Sequence, residues 1–131
     1  MFLTKECDYA IRVVRALAGM EKKSAKMICE REYIPAPFAY KILNKLEHAG
    51  IVCSYRGTLG GYQLAKKLDC ITLFDVINAV DENLFINECL QPGHVCPHNT
   101  NGSRCSVHQD LERIQNGLII SLKEKTLDRF F

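Results

Sequence analysis

This 131-residue sequence has no long apolar run, and that absence excludes one class of protein. No stretch approaches the roughly 20 apolar residues that a membrane-spanning helix needs, so we expect no transmembrane segment and no membrane partner. The opening residues, MFLTKE, lack the basic and apolar regions of a secretory signal. With 47% hydrophobic and 24% charged residues, the composition is that of a soluble globular protein, and we expect it in the cytoplasm.

Catalytic motifs are missing as well. The sequence contains no recognisable nucleophile–base pair, no phosphate-binding Walker motif and no dinucleotide-binding fingerprint. We therefore predict that the protein is not an enzyme and has no small-molecule substrate. A Cys-x-x-Cys pair, which usually marks a structural zinc site, is also absent.

The net charge is small, at +2, but it is unevenly distributed. Residues 1–67 carry 12 Lys and Arg against six Asp and Glu, whereas residues 68–131 carry five against nine. A basic first half is expected of a phosphate-binding surface, although Lys and Arg also solvate surfaces that bind nothing. Charge alone therefore indicates a nucleic-acid partner without establishing one.

Three helices are predicted in the first 50 residues. The first covers residues 4–20 with Thr4 as its N-cap, and Ser24 can cap the second. The third begins near Pro37, which suits a first helical turn, and it ends at Gly50. Its inward residues are predicted to be Phe38, Ile42, Leu43 and Leu46, and its outward residues Tyr40, Lys41, Asn44 and Lys45. This layout is typical of a helix-turn-helix, but helix pairs that bind nothing also show it.

Two predicted strands and a glycine-rich turn follow the third helix. Residues 51–55 are rich in β-branched and aromatic side chains, residues 62–65 predict the returning strand, and the turn between them contains Arg56, Gly60 and Gly61. The glycines would let the backbone approach a phosphate backbone, and Arg56 could enter the minor groove. For the hairpin alone, a tight turn with a solvated arginine is equally favoured. After two such helices, the pattern favours a winged helix-turn-helix.

The second half of the sequence ends in a long predicted helix. Residues 72–81 predict a short capped helix, and residues 83–104 an irregular segment rich in Pro, Gly and Asn. The long helix starts at about Cys105, and Thr126 can cap a short turn after it. Its apolar stripe consists of Val107, Leu111, Ile114, Leu118 and Leu122. Such a stripe predicts pairing with a second copy of the chain, or else packing on the chain's own domain.

Seven cysteines are a high and odd number. In a cytoplasmic protein they indicate metal or redox chemistry rather than disulfides. Four of them lie at scattered, apolar-looking positions, and we expect these to be buried structural thiols: Cys7, Cys29, Cys53 and Cys70. The other three are crowded into one segment.

That segment combines three cysteines with three of the four histidines: Cys89, His94, Cys96, His98, Cys105 and His108. Three thiolates and one imidazole complete a four-ligand metal site, and Cys105 and His108 are one helical turn apart. Such donors suit zinc, copper(I) or an iron–sulfur cluster. Free thiols and a reversible disulfide are the alternatives. We expect His94 and His98 to face solvent, whereas ligand and helix-surface roles are equally favoured for His108.

Several short motifs follow one another in a specific order. They are LTK with DYA within residues 3–10, LEHAGIV followed by RG-x-x-GGY-x-L within residues 46–64, and VI-x-AVD at residues 76–81, ahead of the cysteine segment. On this combination the chain resembles the IscR/NsrR family of bacterial winged-helix regulators over essentially its whole length. No single motif would be specific enough.

The resemblance implies a homodimer that binds a palindromic operator in double-stranded DNA. The third helix would enter the major groove, and the wing would reach the minor groove. The implied DNA-binding residues are Pro37, Phe38, Tyr40, Lys41, Lys45, Arg56, Gly57, Thr58 and Gly60. Tyr40 stands where IscR-like members have an acidic residue, so the operator preference does not transfer.

The resemblance also implies an iron–sulfur cluster on the three clustered cysteines. IscR-like members complete a 2Fe–2S cluster with a histidine, which matches His108, and we favour this assignment. NsrR-like members complete a 4Fe–4S cluster with an aspartate from the partner's first helix, which matches Asp8. Asp8 could instead pair with Arg12, four residues later. The cysteine spacing is longer than in those branches, which leaves the cluster type open.

The sequence therefore predicts a mainly α-helical fold with a small β-hairpin wing and a long dimerisation helix. Residues 1–67 would form the DNA-binding module, and residues 68–131 the cluster-binding loop and dimerisation helices. Cluster binding would order residues 89–108 and change the spacing of the two recognition helices, in response to iron–sulfur supply, redox stress or nitric oxide. The rival hypotheses are a zinc-stabilised interaction module and a metal-free thiol-based redox regulator. Aerobic handling can remove a cluster.

Overall fold

The computed structural model describes residues 3–99 and 104–131. In that part the elements follow in the order α1 (Lys5–Ala16), α2 (Ala25–Glu32), α3 (Ala36–His48), β1 (Val52–Tyr55), β2 (Gly61–Leu64), α4 (Leu73–Val80) and α5 (Ser106–Glu124). The mainly helical fold with a β-hairpin wing is the one that the sequence predicts. None of the described helices is long and apolar enough to cross a membrane. Residues 100–103 of the predicted irregular segment lie outside the described residues.

Short polar side chains begin the helices, as the sequence predicts. The hydroxyls of Thr4 and Ser24 accept backbone N–H groups from the first turns of α1 and α2, at 3.4 and 3.2 Å. A reciprocal capping box, Thr72 with Asp75, starts α4. The predicted first helix is too long, since α1 ends at Ala16. The backbone N–H of Leu17, the next residue, donates to the carbonyl oxygens of Val13 and Val14 at 3.2 and 3.1 Å, so the helix ends in a tightened turn.

The third helix begins and ends where proline and glycine favour it. Pro35 is its N-cap, and Pro37 lies in the first turn, where no intrahelical N–H is needed. Gly50 follows the helix with a left-handed φ of 72°. The inward face is fully buried and consists of Ala39, Ile42, Leu43 and Leu46. Burial of this face fixes α3 on the core and leaves its other face outside.

The hairpin is braced by a third segment of backbone. Val52 of β1 pairs with Leu64 of β2 in an antiparallel ladder. Lys23, just before α2, exchanges two backbone hydrogen bonds with Tyr62 of β2, at 2.9 and 2.8 Å. A Cβ on Gly61 would lie 2.8 Å from the carbonyl oxygen of Lys23. Glycine is therefore required at Gly61 by a close approach of two backbone segments.

One apolar core joins the two halves of the sequence. Val13 of α1, Leu46 of α3 and Ile77 of α4 are all buried in it. Leu127, after α5, is also buried, and its N–H donates to the carbonyl oxygen of Ile71 at 2.8 Å. The helix-turn-helix thus packs against α4 and the C-terminal turn.

The last long helix is mostly exposed. Of the 19 residues of α5, only Gln115 is buried. Val107, Ile114 and Leu118 of the predicted stripe are exposed, whereas Leu122 packs partly against the core. Most of the apolar stripe therefore faces away from the core of its own chain.

The four scattered cysteines differ in burial. Cys7 is fully buried, as expected, and Cys29 and Cys53 are half-buried. The expectation is wrong for Cys70, which is exposed because it ends a short surface turn and donates its thiol hydrogen to Asp69 at 3.2 Å. Burial raises the pKa of Cys29, and the bond to Asp69 raises the pKa of Cys70. Neither thiol ionises readily.

Candidate functional site

Aromatic residues mark the exposed start of α3. Pro37 and Tyr40 are exposed there. The prediction that Phe38 points inward is wrong, because Ala39 occupies the buried position of that turn. The Phe38 side chain is 45% exposed, and its ring centre lies 5.6 Å from that of Tyr9. This contact steadies Phe38 on the surface beside the other candidate DNA-binding residues.

One carboxylate holds both lysines of the α3 face. Glu6, in the first turn of α1, accepts from Lys41 through one oxygen and from Lys45 through the other, the latter at 2.7 Å. Lys45 also donates to the carbonyl oxygen of Val80, the last residue of α4, at 2.8 Å. The bonds from Lys41 and Lys45 lower the pKa of Glu6. Two predicted phosphate contacts are therefore already paired within the chain.

The wing tip is tight and exposed. Arg56 and Thr58 are exposed, and Gly57 takes a left-handed φ of 95°. A Cβ on Gly60 would lie only 2.3 Å from the carbonyl oxygen of Tyr55. A side chain at Gly60 would push the two arms of the turn apart, so this glycine sets the shape of the tip.

The wing is fixed to α3 by polar contacts. Ser54 of β1 donates to the carboxylate of Glu47 of α3 at 2.5 Å. On the other side, the ammonium group of Lys22 lies 4.2 Å from the ring centre of Tyr55. The phenol of Tyr62 is half-buried, and burial raises its pKa. The candidate major-groove helix and the candidate minor-groove hairpin thus form one unit.

A nearly buried carboxylate fixes α2 to α1. Glu32 is only 5% exposed, and it accepts hydrogen bonds from Arg15. The backbone carbonyl of the same residue accepts from Arg12 at 3.2 Å. Hydrogen bonding to Glu32 raises the pKa of Arg15. These contacts hold the end of α2 and therefore the turn that leads into α3.

The three clustered thiols are half-buried, and two of them share a partner. Asn87 donates to the sulfur of Cys89 at 3.4 Å. Asn99 donates its backbone N–H to the carbonyl oxygen of Cys96 at 3.0 Å, and its side-chain oxygen accepts the N–H of Cys105 at 3.2 Å. Asn99 thus links the backbones of Cys96 and Cys105, while Cys89 lies apart on its own short turn.

One ring nitrogen of His108 is a candidate metal ligand. This atom, Nδ1, is buried and has no hydrogen-bond partner among the described residues. Buried polar atoms rarely lack a hydrogen-bond partner. An imidazole nitrogen in this state, one turn after Cys105, suits a metal ligand. Even so, residues 3–99 and 104–131 bring no group of three or more His, Cys, Asp or Glu side chains close enough to hold a metal ion. The donors fit a cluster by their chemistry, but the described chain does not gather them.

The other candidate ligands are paired or face solvent. Asp8, the alternative fourth ligand, forms an ion pair with Arg12 at 3.0 Å. His94 and His98 are exposed, as the sequence predicts. Binding a cluster through Asp8 would therefore require that its pair with Arg12 break.

A contact between the irregular segment and α5 could not be predicted from the sequence. The side-chain oxygen of Gln115 accepts the backbone N–H of Ile86 at 3.1 Å, across 29 positions of sequence. The same is true of Glu6, whose partner Lys45 is 39 positions away. No local signal marks either residue, because helix patterns report neighbours within about four positions.

Comparison with known proteins identifies relatives along the whole chain. A family described as "Rrf2: Iron-dependent Transcriptional regulator" matches residues 3–131. The protein slr0846 of Synechocystis is 41% identical over 87 residues, covering 64% of this chain and 59% of that protein. The HTH-type transcriptional regulator IscR of Vibrio vulnificus is 33% identical over 111 residues, covering 82% of this chain and 64% of that protein. The matched parts span less than two thirds of these two relatives.

Two solved structures share the fold. The IscR of T. potens matches with a TM-score of 0.77 at 22% identity, over 96% of this chain and 82% of that one. CymR of B. subtilis, titled the global cysteine regulator, matches with a TM-score of 0.71 at 24% identity, over 96% and 92%. At these identities the likeness supports the winged helical fold alone.

Proposed function

Because this chain belongs to the Rrf2 family of transcriptional regulators, we propose that it is a homodimer whose affinity for a palindromic DNA operator is controlled by an iron–sulfur cluster. As a member of that family it is a regulator and not an enzyme. The observation that carries the cluster proposal is the buried Nδ1 of His108, which has no hydrogen-bond partner among the described residues and lies one helical turn from Cys105. The regulator would act in the cytoplasm, where the operator is.

In the proposed DNA complex, α3 enters the major groove and the wing follows the minor groove. The bond between Ser54 and Glu47 supports this arrangement, because it holds both elements in one frame. Arg56 is exposed at the wing tip and would read minor-groove shape and charge. The α3 residues assigned to bases or phosphates are Pro37, Phe38, Tyr40, Lys41 and Lys45, followed in the wing by Gly57, Thr58 and Gly60.

In the proposed sensor, three thiolates and one imidazole hold the cluster. Cys89, Cys96 and Cys105 would supply the thiolates, and His108 the fourth ligand of a 2Fe–2S cluster. The bound cluster would supply a group that oxidants and nitric oxide attack. The proposed ligands lie on the irregular segment and at the start of α5, and the bond from Ile86 to Gln115 links these two elements. A 4Fe–4S cluster completed by Asp8 remains the alternative within this proposal.

The proposed dimer uses the exposed stripe of α5. Val107, Ile114 and Leu118 present apolar surface that the chain's own core does not cover. A second copy packed there would fix the distance between the two α3 helices, and that distance must match the spacing of the operator half-sites.

Metal-free thiol regulation is a second candidate, and a specific observation favours it. All three clustered cysteines are free thiols that the described chain does not gather around a common centre. In that case oxidation of the thiols would replace cluster loss as the signal. CymR, titled the global cysteine regulator, has the same fold, although its low identity transfers no mechanism.

Anaerobic purification tests the cluster proposal. We expect visible charge-transfer absorption and near-equal iron and sulfide, both lost or weakened in His108→Ala and retained in the matched variant His98→Ala. Stoichiometric zinc would support a structural metal site instead. If no metal is found even after attempted reconstitution, the cluster proposal is contradicted and metal-free thiol regulation is the candidate that is left. The iron count per chain separates 2Fe–2S from 4Fe–4S.

Binding to duplex DNA tests the interface separately. We expect Arg56→Ala to weaken binding about tenfold, which corresponds to one lost contact of about 1–2 kcal/mol. The matched variant Arg129→Ala removes an exposed arginine beyond α5 and should bind like the wild type. Equal effects of the two variants would contradict the placement of the wing on DNA.

A further inference from the structure

Glu6 makes contacts that its position in the first turn of α1 does not require. A carboxylate in the first turn of a helix interacts favourably with the helix dipole wherever its side chain points. The Glu6 side chain nevertheless reaches α3, where it bridges Lys41 and Lys45. These lysines are four positions apart, so they lie on one side of the helix. Each carboxylate oxygen accepts from one ammonium group.

This trio is partly shielded from solvent. The exposed fractions of the side chains are 25% for Glu6, 35% for Lys45 and 54% for Lys41. Lys45 uses a second N–H on the carbonyl oxygen of Val80, so two of its three donors are bound to described residues. Because both lysines lower the pKa of Glu6, the carboxylate is ionised at neutral pH. The trio therefore presents a net charge of +1 instead of the +2 of two free lysines.

An open cleft lies beside Glu6 and Lys45, between the start of α1, the outer face of α3 and the end of α4. Lys5 and His48 line it on the side of α1 and α3. Asp81 and Glu82 line it beyond α4, so the cleft carries charges of both signs. A phosphate group that approaches the two α3 lysines thus meets a like-charged group already bound to them.

We propose that Glu6 is a positioning residue that competes with DNA phosphates for Lys41 and Lys45 and so weakens the sequence-independent part of DNA affinity. The inference rests on the proposed DNA-binding role of α3. Phosphate contacts supply most non-specific affinity, whereas base contacts and half-site spacing carry the sequence information. When phosphate binding is weaker, the occupancy of the operator depends more on the spacing of the two recognition helices. A regulatory signal would change that spacing.

The test uses the full chain and a fluorescent duplex of random sequence, about 30 base pairs long so that both recognition helices can engage. Glu6→Gln keeps the size of the side chain and removes its charge. We expect it to bind about three- to tenfold more tightly at low salt than the wild type does. A plot of log Kd against log salt should steepen by about one per protomer, the value for one more phosphate contact.

Three further variants separate local competition from other effects. Glu30→Gln removes the same charge from the same module, from an exposed carboxylate paired with Lys26 at 3.9 Å, and should leave the salt slope unchanged. When Lys41 and Lys45 are both replaced by alanine, Glu6→Gln should add nothing. Glu6→Asp keeps the charge on a shorter side chain and should give an intermediate gain. It also keeps the inference testable if thermal unfolding shows that Glu6→Gln does not fold.

Three outcomes would overturn the inference alone. Equal gains from Glu6→Gln and Glu30→Gln would mean that long-range charge acts alone, as would a gain that persists without the two lysines. Weaker binding by a folded Glu6→Gln would mean that the lysines need Glu6 to reach DNA. A wild-type chain that binds no duplex at any salt concentration would instead overturn the proposed function, and with it this inference.

Discussion

Two regions of this chain are stabilised in different ways. From Cys7 to Leu84, buried apolar residues recur in every helix and in both strands. Between residues 85 and 126, Gln115 is the only buried residue among those described. The first region contains the proposed DNA-binding module and α4, whereas the second contains the cysteine segment and α5. The contrast therefore separates the part that would contact DNA from the part that would sense and dimerise.

The difference in burial gives a physical reason for the two proposed roles, DNA binding and sensing. A surface that reads DNA must be held in place, and the capped helices, the pair between Arg15 and Glu32 and the bond between Ser54 and Glu47 do this. A sensing segment must have more than one accessible arrangement, and segments with few buried contacts have low local stability. In the proposed regulator, a ligand or a second copy of the chain would organise the second region.

Removal of one leucine from each region should show the largest contrast. Leu43 is fully buried in α3, and Leu118 is exposed on α5. We expect Leu43→Ala to lower the free energy of unfolding by about 2–5 kcal/mol, because it loses apolar burial and leaves a cavity. Leu118→Ala should change the stability of the separate chain by less than about 0.5 kcal/mol. Urea unfolding measures both.

Protein concentration distinguishes the two effects further. If Leu118 lies in a dimer interface, Leu118→Ala should lower the dimer's apparent stability more as concentration rises, whereas the loss for Leu43→Ala should stay nearly constant. A loss of several kcal/mol for Leu118→Ala at concentrations where the chain is monomeric would contradict the division into two regions.

Local patterns explain why much of the first region could be predicted from sequence. Thr4, Ser24 and Thr72 cap helices through backbone groups within three positions, so each signal lies next to its effect. Pro37 and Gly50 mark the ends of α3 for the same reason. Periodicity was less reliable where two neighbouring residues compete for one inward position. At the start of α3 the smaller Ala39 is buried and Phe38 is exposed.

The contacts that the sequence does not reveal join distant segments. Glu6 with Lys45 and Gln115 with Ile86 are set by how the helices pack, and that packing depends on the whole core. The arrangement of the cysteine segment could not be predicted for a different reason. Its described residues are exposed or half-buried, so no burial pattern marks how they pack, and cysteine spacing predicts a donor set without predicting how the donors meet.

Within the first region, the nearly buried carboxylate should matter more than an exposed one. We expect Glu32→Gln to lower the free energy of unfolding by about 1–2 kcal/mol, because the guanidinium of Arg15 loses its charged partner. The half-exposed position of Arg15 keeps the effect below that of a fully buried pair. The matched variant Glu30→Gln breaks an exposed pair with Lys26 and should cost about 0–0.5 kcal/mol. Similar losses of stability for Glu32→Gln and Glu30→Gln in thermal unfolding would contradict the stabilising role of Glu32.

Between the two regions, Gln115 should act locally. Gln115→Ala leaves the N–H of Ile86 without its acceptor, which costs about 1 kcal/mol. We expect faster hydrogen exchange at the Ile86 amide, with little change at the amides of α3. Gln109→Ala removes an exposed glutamine from the same helix and should leave the Ile86 exchange rate unchanged. Equal acceleration by both variants would mean that the stability of α5 as a whole, and not this bond, protects Ile86.

The smallest expected effect concerns Gly117, near the middle of α5. A Cβ at this position would meet nothing within 4 Å, so Gly117→Ala should stabilise the separate chain by about 0.5–1 kcal/mol through helix propensity alone. Gly117 also adjoins Leu118 of the apolar stripe, where a second helix could approach the backbone closely. A variant that is more stable as a monomer but dimerises more weakly in sedimentation would place Gly117 inside the interface. If stability and dimerisation both rise, the dimer forms on another face of α5, and the second region owes its order to something other than this stripe.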